Sequence, residues 1–156
     1  MLTSKTNILI IYHDEESAQL ALLKKKLEND DRDIRDLSIN CQTLNDDKNR
    51  GQIKKQLRKD IEWAGVIILI ISPSNTENYD CVDSEIRYAR QLKNKRIIGI
   101  WKPQHYNMPA VVEDYADALV NWDDKKINDA IINEQDIWTD PDGHEAPVHS
   151  IKRIQC

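Results

Sequence analysis

The sequence predicts an α/β fold: a flavodoxin-like, three-layer domain with a five-stranded, mainly parallel sheet in the order 2-1-3-4-5. Four short apolar runs, at 7–12, 66–72, 96–101 and 118–122, are separated by segments with helical spacing. The strongest runs are continuous rather than alternating, which is typical of strands covered on both faces. Strand alternating with helix is the pattern of a doubly wound sheet, and right-handed crossovers place helices on both faces.

The first half of the chain contains two predicted strands and two predicted helices. "NILIIY" (7–12) is the first strand, and "DLSIN" (36–40) is a weaker second one. The first helix is marked by three leucines at helical spacing, Leu20, Leu23 and Leu27. The second helix is marked by Ile53, Leu57 and Ile61 and is followed by Gly65. A glycine at that position commonly ends a helix.

The second half continues the alternation. "VIILIIS" (66–72), "RIIGIW" (96–101) and "ALVNW" (118–122) are the remaining strands. A helix is predicted from Val82 to Leu92, and a short last helix is opened by Asp123 or Asp124 and marked by Ile127, Ala130 and Ile131. We expect residues 1–133 to form one domain, with residues 134–156 as a tail packed on it.

Composition excludes several function classes. A chain of 156 residues suits one domain with a real core. Its net charge of −5 argues against general affinity for nucleic acid or membranes. Three distant cysteines fit a reducing compartment better than a disulfide framework. Without a signal peptide pattern or an apolar run of about 18 residues, a cytoplasmic location is expected.

The common nucleotide and hydrolase motifs are missing. The four glycines are not clustered, so no phosphate-cradling loop follows the first strand, and no GxSxG elbow exists. A receiver domain would need an aspartate near Ser72. The tail carries five possible metal ligands, Asp140, Asp142, His144, Glu145 and His149, at spacings that match no ligand motif. A solvated loop is the favoured interpretation, and no metal is expected.

Glu85 is the candidate catalytic residue. On a helical projection Val82, Ile86, Ala89 and Leu92 share one apolar arc, and Glu85 falls inside it. The opposite, polar arc consists of Asp83, Ser84, Arg87, Arg90 and Gln91. A carboxylate in the first turn complements the helix macrodipole, but the macrodipole does not explain an inward direction. Pairing with an Arg or Lys is the structural alternative. In a doubly wound fold this helix starts at the carboxyl edge of the sheet, where ligands bind.

The order of segments resembles the TIR (Toll/interleukin-1-receptor) domain in its bacterial TIR-like branch. The resemblance rests on five stretches spread over about residues 5–133: "NILIIYHDEE", "RDLSIN", "QIKKQLRKDIEWAGVIILIIS", "NYDCVDSEIRYARQLKNKRIIGIW" and "ALVNWDDKKINDAI". The fourth is similar to the family's Trp-x-x-x-Glu helix. Its Glu falls on Glu85, whereas the aromatic four residues earlier is Cys81 here.

The resemblance implies an NAD+ glycohydrolase or cyclase that cleaves the nicotinamide–ribose bond, with Glu85 as catalytic residue and NAD+ as substrate rather than cofactor. Short TIR-like proteins of this kind occur in Thoeris-type antiphage systems, where an ADP-ribose-derived, cyclic messenger reaches a separate effector. Self-association on activation is also implied. Two other classes stay open: a non-catalytic TIR scaffold, and, more weakly, a nucleoside deoxyribosyltransferase.

Five further residues are candidates for substrate binding, each with a structural alternative. Tyr12 and His13 end the first predicted strand at the presumed pocket, where His13 could instead be a hydrogen-bonded structural residue. Ser38 is either a pocket-wall residue or a strand serine, and Asp46 either meets substrate or follows ordinary turn chemistry. Cys81 is expected to be a small buried hydrophobic residue rather than a redox-active one. Tyr79, Tyr88 or a neighbouring chain could supply the missing aromatic ring.

Overall fold

A computed structural model describes residues 6–13, 17–28, 31–39, 44, 48–71, 79–102 and 110–145. Five strands form one parallel sheet: β1 (Thr6–His13), β2 (Arg32–Ile39), β3 (Val66–Ile71), β4 (Arg96–Trp101) and β5 (Ala118–Val120). Their order is β2-β1-β3-β4-β5, so the predicted flavodoxin-like topology is confirmed. The strand order reverses between β1 and β3, which is the topological switch point of such a sheet.

Helices cover both faces of the sheet. They are α1 (Ser17–Leu27), α2 (Arg50–Trp63), α3 (Asp83–Gln91), α4 (Ala110–Tyr115) and α5 (Asp124–Ile131), and a 3-10 turn, Asp80–Val82, leads into α3. Helices α1 and α5 pack on one apolar cluster, whereas α2, α3 and α4 pack on the other. The central strand β3 is buried along its whole length, which explains its unbroken apolar sequence.

Strand β2 lies at the edge of the sheet and starts four residues earlier than predicted. Its sequence, "RDIRDLSI", alternates between half-buried and exposed positions. An edge strand has a neighbouring strand on one side only, so fewer of its side chains need to be apolar. Its charged side chains oppose pairing with the edge of another sheet. Only the apolar end of β2 therefore stands out as an apolar run in the sequence.

The chain after α5 closes the other edge of the sheet. The amide of Leu119 donates to the carbonyl of Ile137, and the amide of Thr139 donates to the carbonyl of Leu119, both at 2.8 Å. Trp138 is buried in the same cluster as α3. Its neighbour Thr139 receives a hydrogen bond from the indole of Trp101 at 2.9 Å. Residues 137–139 thus protect the edge of β5 from solvent.

The described residues include no helix with the length and apolar character needed to cross a bilayer.

Candidate active site

Glu85 lies in the first turn of α3 with only 3% of its surface exposed. Its neighbours on the helix, Val82, Ile86 and Ala89, are fully buried in the core cluster beneath α3. The inward direction predicted from the helical projection is therefore confirmed. Among the described residues, no Arg, Lys or His forms an ion pair with this carboxylate. A buried carboxylate without a cationic partner is uncommon in a purely structural role.

Ser84 holds the carboxylate of Glu85. Its hydroxyl donates a hydrogen bond of 2.9 Å to Oε2 of Glu85. A hydroxyl donor keeps the carboxylate oriented without neutralising its charge. This contact is not predicted by the helical pattern, because Ser84 falls on the polar arc of the helix. A serine directly before a first-turn glutamate is the only signal for it.

Tyr79 precedes this helix and is fully buried. Its hydroxyl lies 3.0 Å from the carbonyl oxygen of Ile11 and 2.8 Å from that of Ile70. These carbonyls belong to β1 and β3, near their carboxyl ends. The side chain is therefore not available to stack on a substrate ring, and the prediction that Tyr79 could replace the family aromatic is wrong.

The other end of α3 is fixed by Arg90, whose side chain is 6% exposed. Its Nη1 donates to Oδ2 of Asp117 at 2.9 Å and to the carbonyl of Tyr115 at 3.1 Å, and its Nη2 donates to the carbonyl of Lys95 at 2.9 Å. The helical projection assigned Arg90 to the polar arc. Its long side chain instead turns inward toward a carboxylate 27 residues later.

The predicted binding residues on β1 and β2 divide between the two faces of the sheet. Tyr12 pairs with Ser38 in the strand register and packs against the cluster under α1 and α5. Because register partners in a parallel sheet point to the same side, both lie on the face away from Glu85. His13 is the next residue, 3% exposed, and points to the α3 face. Of these three side chains, only His13 shares the face of Glu85.

Cys81 lies in the 3-10 turn, four residues before Glu85, and is disulfide-bonded. It packs against the core cluster but is only partly buried. Its disulfide contradicts the expectation, drawn from the three distant cysteines, that the chain carries no disulfide. The other two cysteines, Cys41 and Cys156, lie outside the described residues, as does the predicted binding residue Asp46. A cysteine at this position supplies no aromatic surface.

Tyr88 was the second candidate for the missing aromatic ring. The guanidinium of Arg58, on α2, lies 4.9 Å from the centroid of the Tyr88 ring. This cation–π contact occupies one face of the ring and directs it toward α2. Tyr88 therefore belongs to the packing between α2 and α3.

Two cavities lined by described residues lie away from Glu85. One, of about 350 Å³, lies between α1 and α5 beside Leu27 and Ile127. The other, of about 410 Å³, lies at the amino edge of the sheet. There Arg90 pairs with Asp117, and Lys95 donates to the carbonyls of Glu62 and Ala64. Burial lowers the pKa of Lys95, against the opposing charge of Glu62. Arg90 and Lys95 therefore already have hydrogen-bond partners within the protein.

The tail brings three possible metal ligands together. Ligand atoms of Asp140, Asp142 and His144 lie within 4.8 Å of one another. Oδ1 of Asp140 already accepts hydrogen bonds from the amides of Asp142 and His144, at 2.9 and 3.0 Å. At Asp140 desolvation acts to raise the pKa, but these hydrogen bonds outweigh it and hold the pKa below its usual range. The hydrogen bonds of a tight turn therefore explain why these three side chains lie close together.

The fold and this site define a class of protein. A five-stranded parallel sheet in this order makes the protein a flavodoxin-like α/β domain, and a buried glutamate lies in the first turn of the helix that follows β3. The family model described as Thoeris protein ThsB, TIR-like domain, matches residues 10–107, which is more than half of the chain. The chain therefore belongs to the ThsB TIR-like family. A search of curated proteins found no significant match.

Proposed function

We propose that this protein cleaves NAD+ at the nicotinamide–ribose bond, with Glu85 as the catalytic carboxylate. The observation that carries the proposal is the burial of Glu85: it is 3% exposed, held by Ser84, and has no described cationic partner. The family match supports the same reaction, since the chain is a TIR-like domain. Tyr12, His13, Ser38, Asp46 and Cys81 stay proposals as substrate-binding residues.

The chemistry of the bond explains why one carboxylate suffices. Nicotinamide leaves with the electron pair of the glycosidic bond, and positive charge develops on the ribose ring. A carboxylate placed beside the ring stabilises that charge and can accept hydrogen bonds from the ribose hydroxyls. The apolar neighbours of Glu85 lower the local dielectric and so strengthen the attraction. Because Ser84 already orients the carboxylate, little reorganisation is needed during the reaction.

The nucleophile that attacks the anomeric carbon of the ribose determines the product. Water adds to the anomeric carbon, loses a proton and gives ADP-ribose, whereas a hydroxyl or ring nitrogen of the same molecule gives a cyclic product. We infer a cyclic, ADP-ribose-derived signal that reaches a separate effector in antiphage defence, in the cytoplasm and after self-association. This setting rests on the family match to Thoeris ThsB domains.

The test compares two acid-to-amide substitutions in the same helical turn. Purified wild-type protein, Glu85→Gln and Asp83→Asn are incubated with NAD+, with and without lysate from phage-infected cells, and released nicotinamide is measured by chromatography. Asp83 is the matched control because it is also acidic but only partly buried. We expect Glu85→Gln to lower kcat by about 100-fold or more, and Asp83→Asn to change it by less than about 3-fold.

Two outcomes contradict the proposal. If Glu85→Gln releases as much nicotinamide as the wild type, Glu85 is not the catalytic group. If the wild type releases none under either condition, the non-catalytic scaffold becomes the better account, and the absence of the family aromatic at Cys81 favours it.

A further inference from the structure

We propose that Tyr79 is a positioning residue for Glu85: its hydroxyl fixes the start of α3 over the switch point between β1 and β3. This inference rests on the proposed NAD+ cleavage at Glu85. It assigns a catalytic contribution to a side chain that cannot reach substrate, because Tyr79 is fully buried.

The anchor consists of one hydroxyl and two backbone carbonyls. Oη of Tyr79 lies 3.0 Å from the carbonyl oxygen of Ile11, in β1, and 2.8 Å from that of Ile70, in β3. The single proton can be donated to either oxygen, so the hydroxyl is tied to both strands. A fully buried hydroxyl strongly favours such acceptors, because an unpaired polar group is costly away from water. The contact joins the neighbouring strands at which the order of the sheet reverses.

A short backbone path joins this anchor to Glu85. The carbonyl of Tyr79 accepts a hydrogen bond of 3.1 Å from the amide of Val82, and this bond closes the 3-10 turn. Val82 is the residue before α3, and Glu85 is the third residue of the helix. A shift of Tyr79 would therefore move the first turn of α3 together with the carboxylate. Displacements of about 1 Å in a catalytic group can lower a rate by up to about 100-fold.

The kinetic test uses Tyr79→Phe, which keeps the buried ring and removes only the hydroxyl. We expect kcat for nicotinamide release to fall by about 10-fold while KM for NAD+ changes by less than about 2-fold. The matched control is Thr139→Val, because Thr139 is 1% exposed and its Oγ1 accepts a hydrogen bond of 2.9 Å from the amide of Asn121. This control also removes a buried hydroxyl, at the β5 edge. It should lower the melting temperature but leave kcat unchanged.

Amide hydrogen exchange of the same variants gives a readout that does not depend on activity. In Tyr79→Phe, we expect residues 82–86 to exchange at least about 10-fold faster, with the amides of α5 unchanged. If these amides keep their wild-type rates, or if Thr139→Val lowers kcat as much as Tyr79→Phe does, the positioning role is refuted. If the wild type does not cleave NAD+, the proposed function fails, and with it a catalytic role for Tyr79; hydrogen exchange then decides only whether the anchor exists.

Discussion

Replacing Arg90 with Met tests how firmly the end of α3 is held. The guanidinium lies 2.9 Å from Oδ2 of Asp117, and the two side chains are 6% and 10% exposed. At that distance and an effective dielectric of about 20, the attraction is about 6 kcal/mol before the cost of dehydrating both groups is subtracted. Without Arg90, the carboxylate of Asp117 keeps the amide of Ile97 at 2.9 Å but loses the ion pair that the described residues show for it.

Breaking one partner of a buried pair typically costs about 3–5 kcal/mol, because the other charge is left uncompensated. For a domain of this size, the melting temperature should fall by about 6–20 °C, as measured by calorimetry or circular dichroism. Arg87→Met is the control, since Arg87 is an exposed cation on the same helix. Adding Asp117→Asn to Arg90→Met should recover part of the loss. The reasoning is refuted if Arg90→Met costs no more stability than Arg87→Met.

Two other predictions concern the core and the disulfide. A Cβ at Gly99, in β4, would lie 2.9 Å from Cδ1 of Leu119 and 3.0 Å from Cγ1 of Val112, so Gly99→Ala should cost about 1–3 kcal/mol in chemical denaturation. Gly51→Ala, where nothing lies within 4 Å, should instead stabilise by about 0.5–1 kcal/mol; equal effects at the two glycines would contradict the packing argument. Because Cys81 is disulfide-bonded, unfolded chains without reductant should titrate with one free thiol, and three free thiols would contradict the assignment.

The sheet could be predicted well because its signal is local. The strands β1, β3 and β4 are buried on both faces, so each one is a continuous apolar run in the sequence. Strand β2 gave a weaker signal because an edge strand tolerates charge on alternate positions. Helix α4 was not predicted, since its six residues, "AVVEDY", are too few to establish a helical period.

The environment of a site residue could be predicted only where it depends on neighbours in the same helix. The inward direction of Glu85 follows from its position relative to Val82 and Ala89, which a helical projection shows directly. The burial of Arg90 depends on Asp117, and that of Tyr79 on carbonyls in two separate strands. Such long-range partners leave no periodic pattern in the sequence, so these two side chains were assigned to the wrong environments.

Helix α3 is held at both ends: Tyr79 ties its start to the sheet, and Arg90 ties its end to the residues directly before β4 and β5. A short helix held in this way has little freedom to slide or tilt, so the carboxylate of Glu85 should keep one position in the resting and the active protein. On the proposed function, activation would then depend on opening a path to this 3% exposed carboxylate rather than on moving the carboxylate itself.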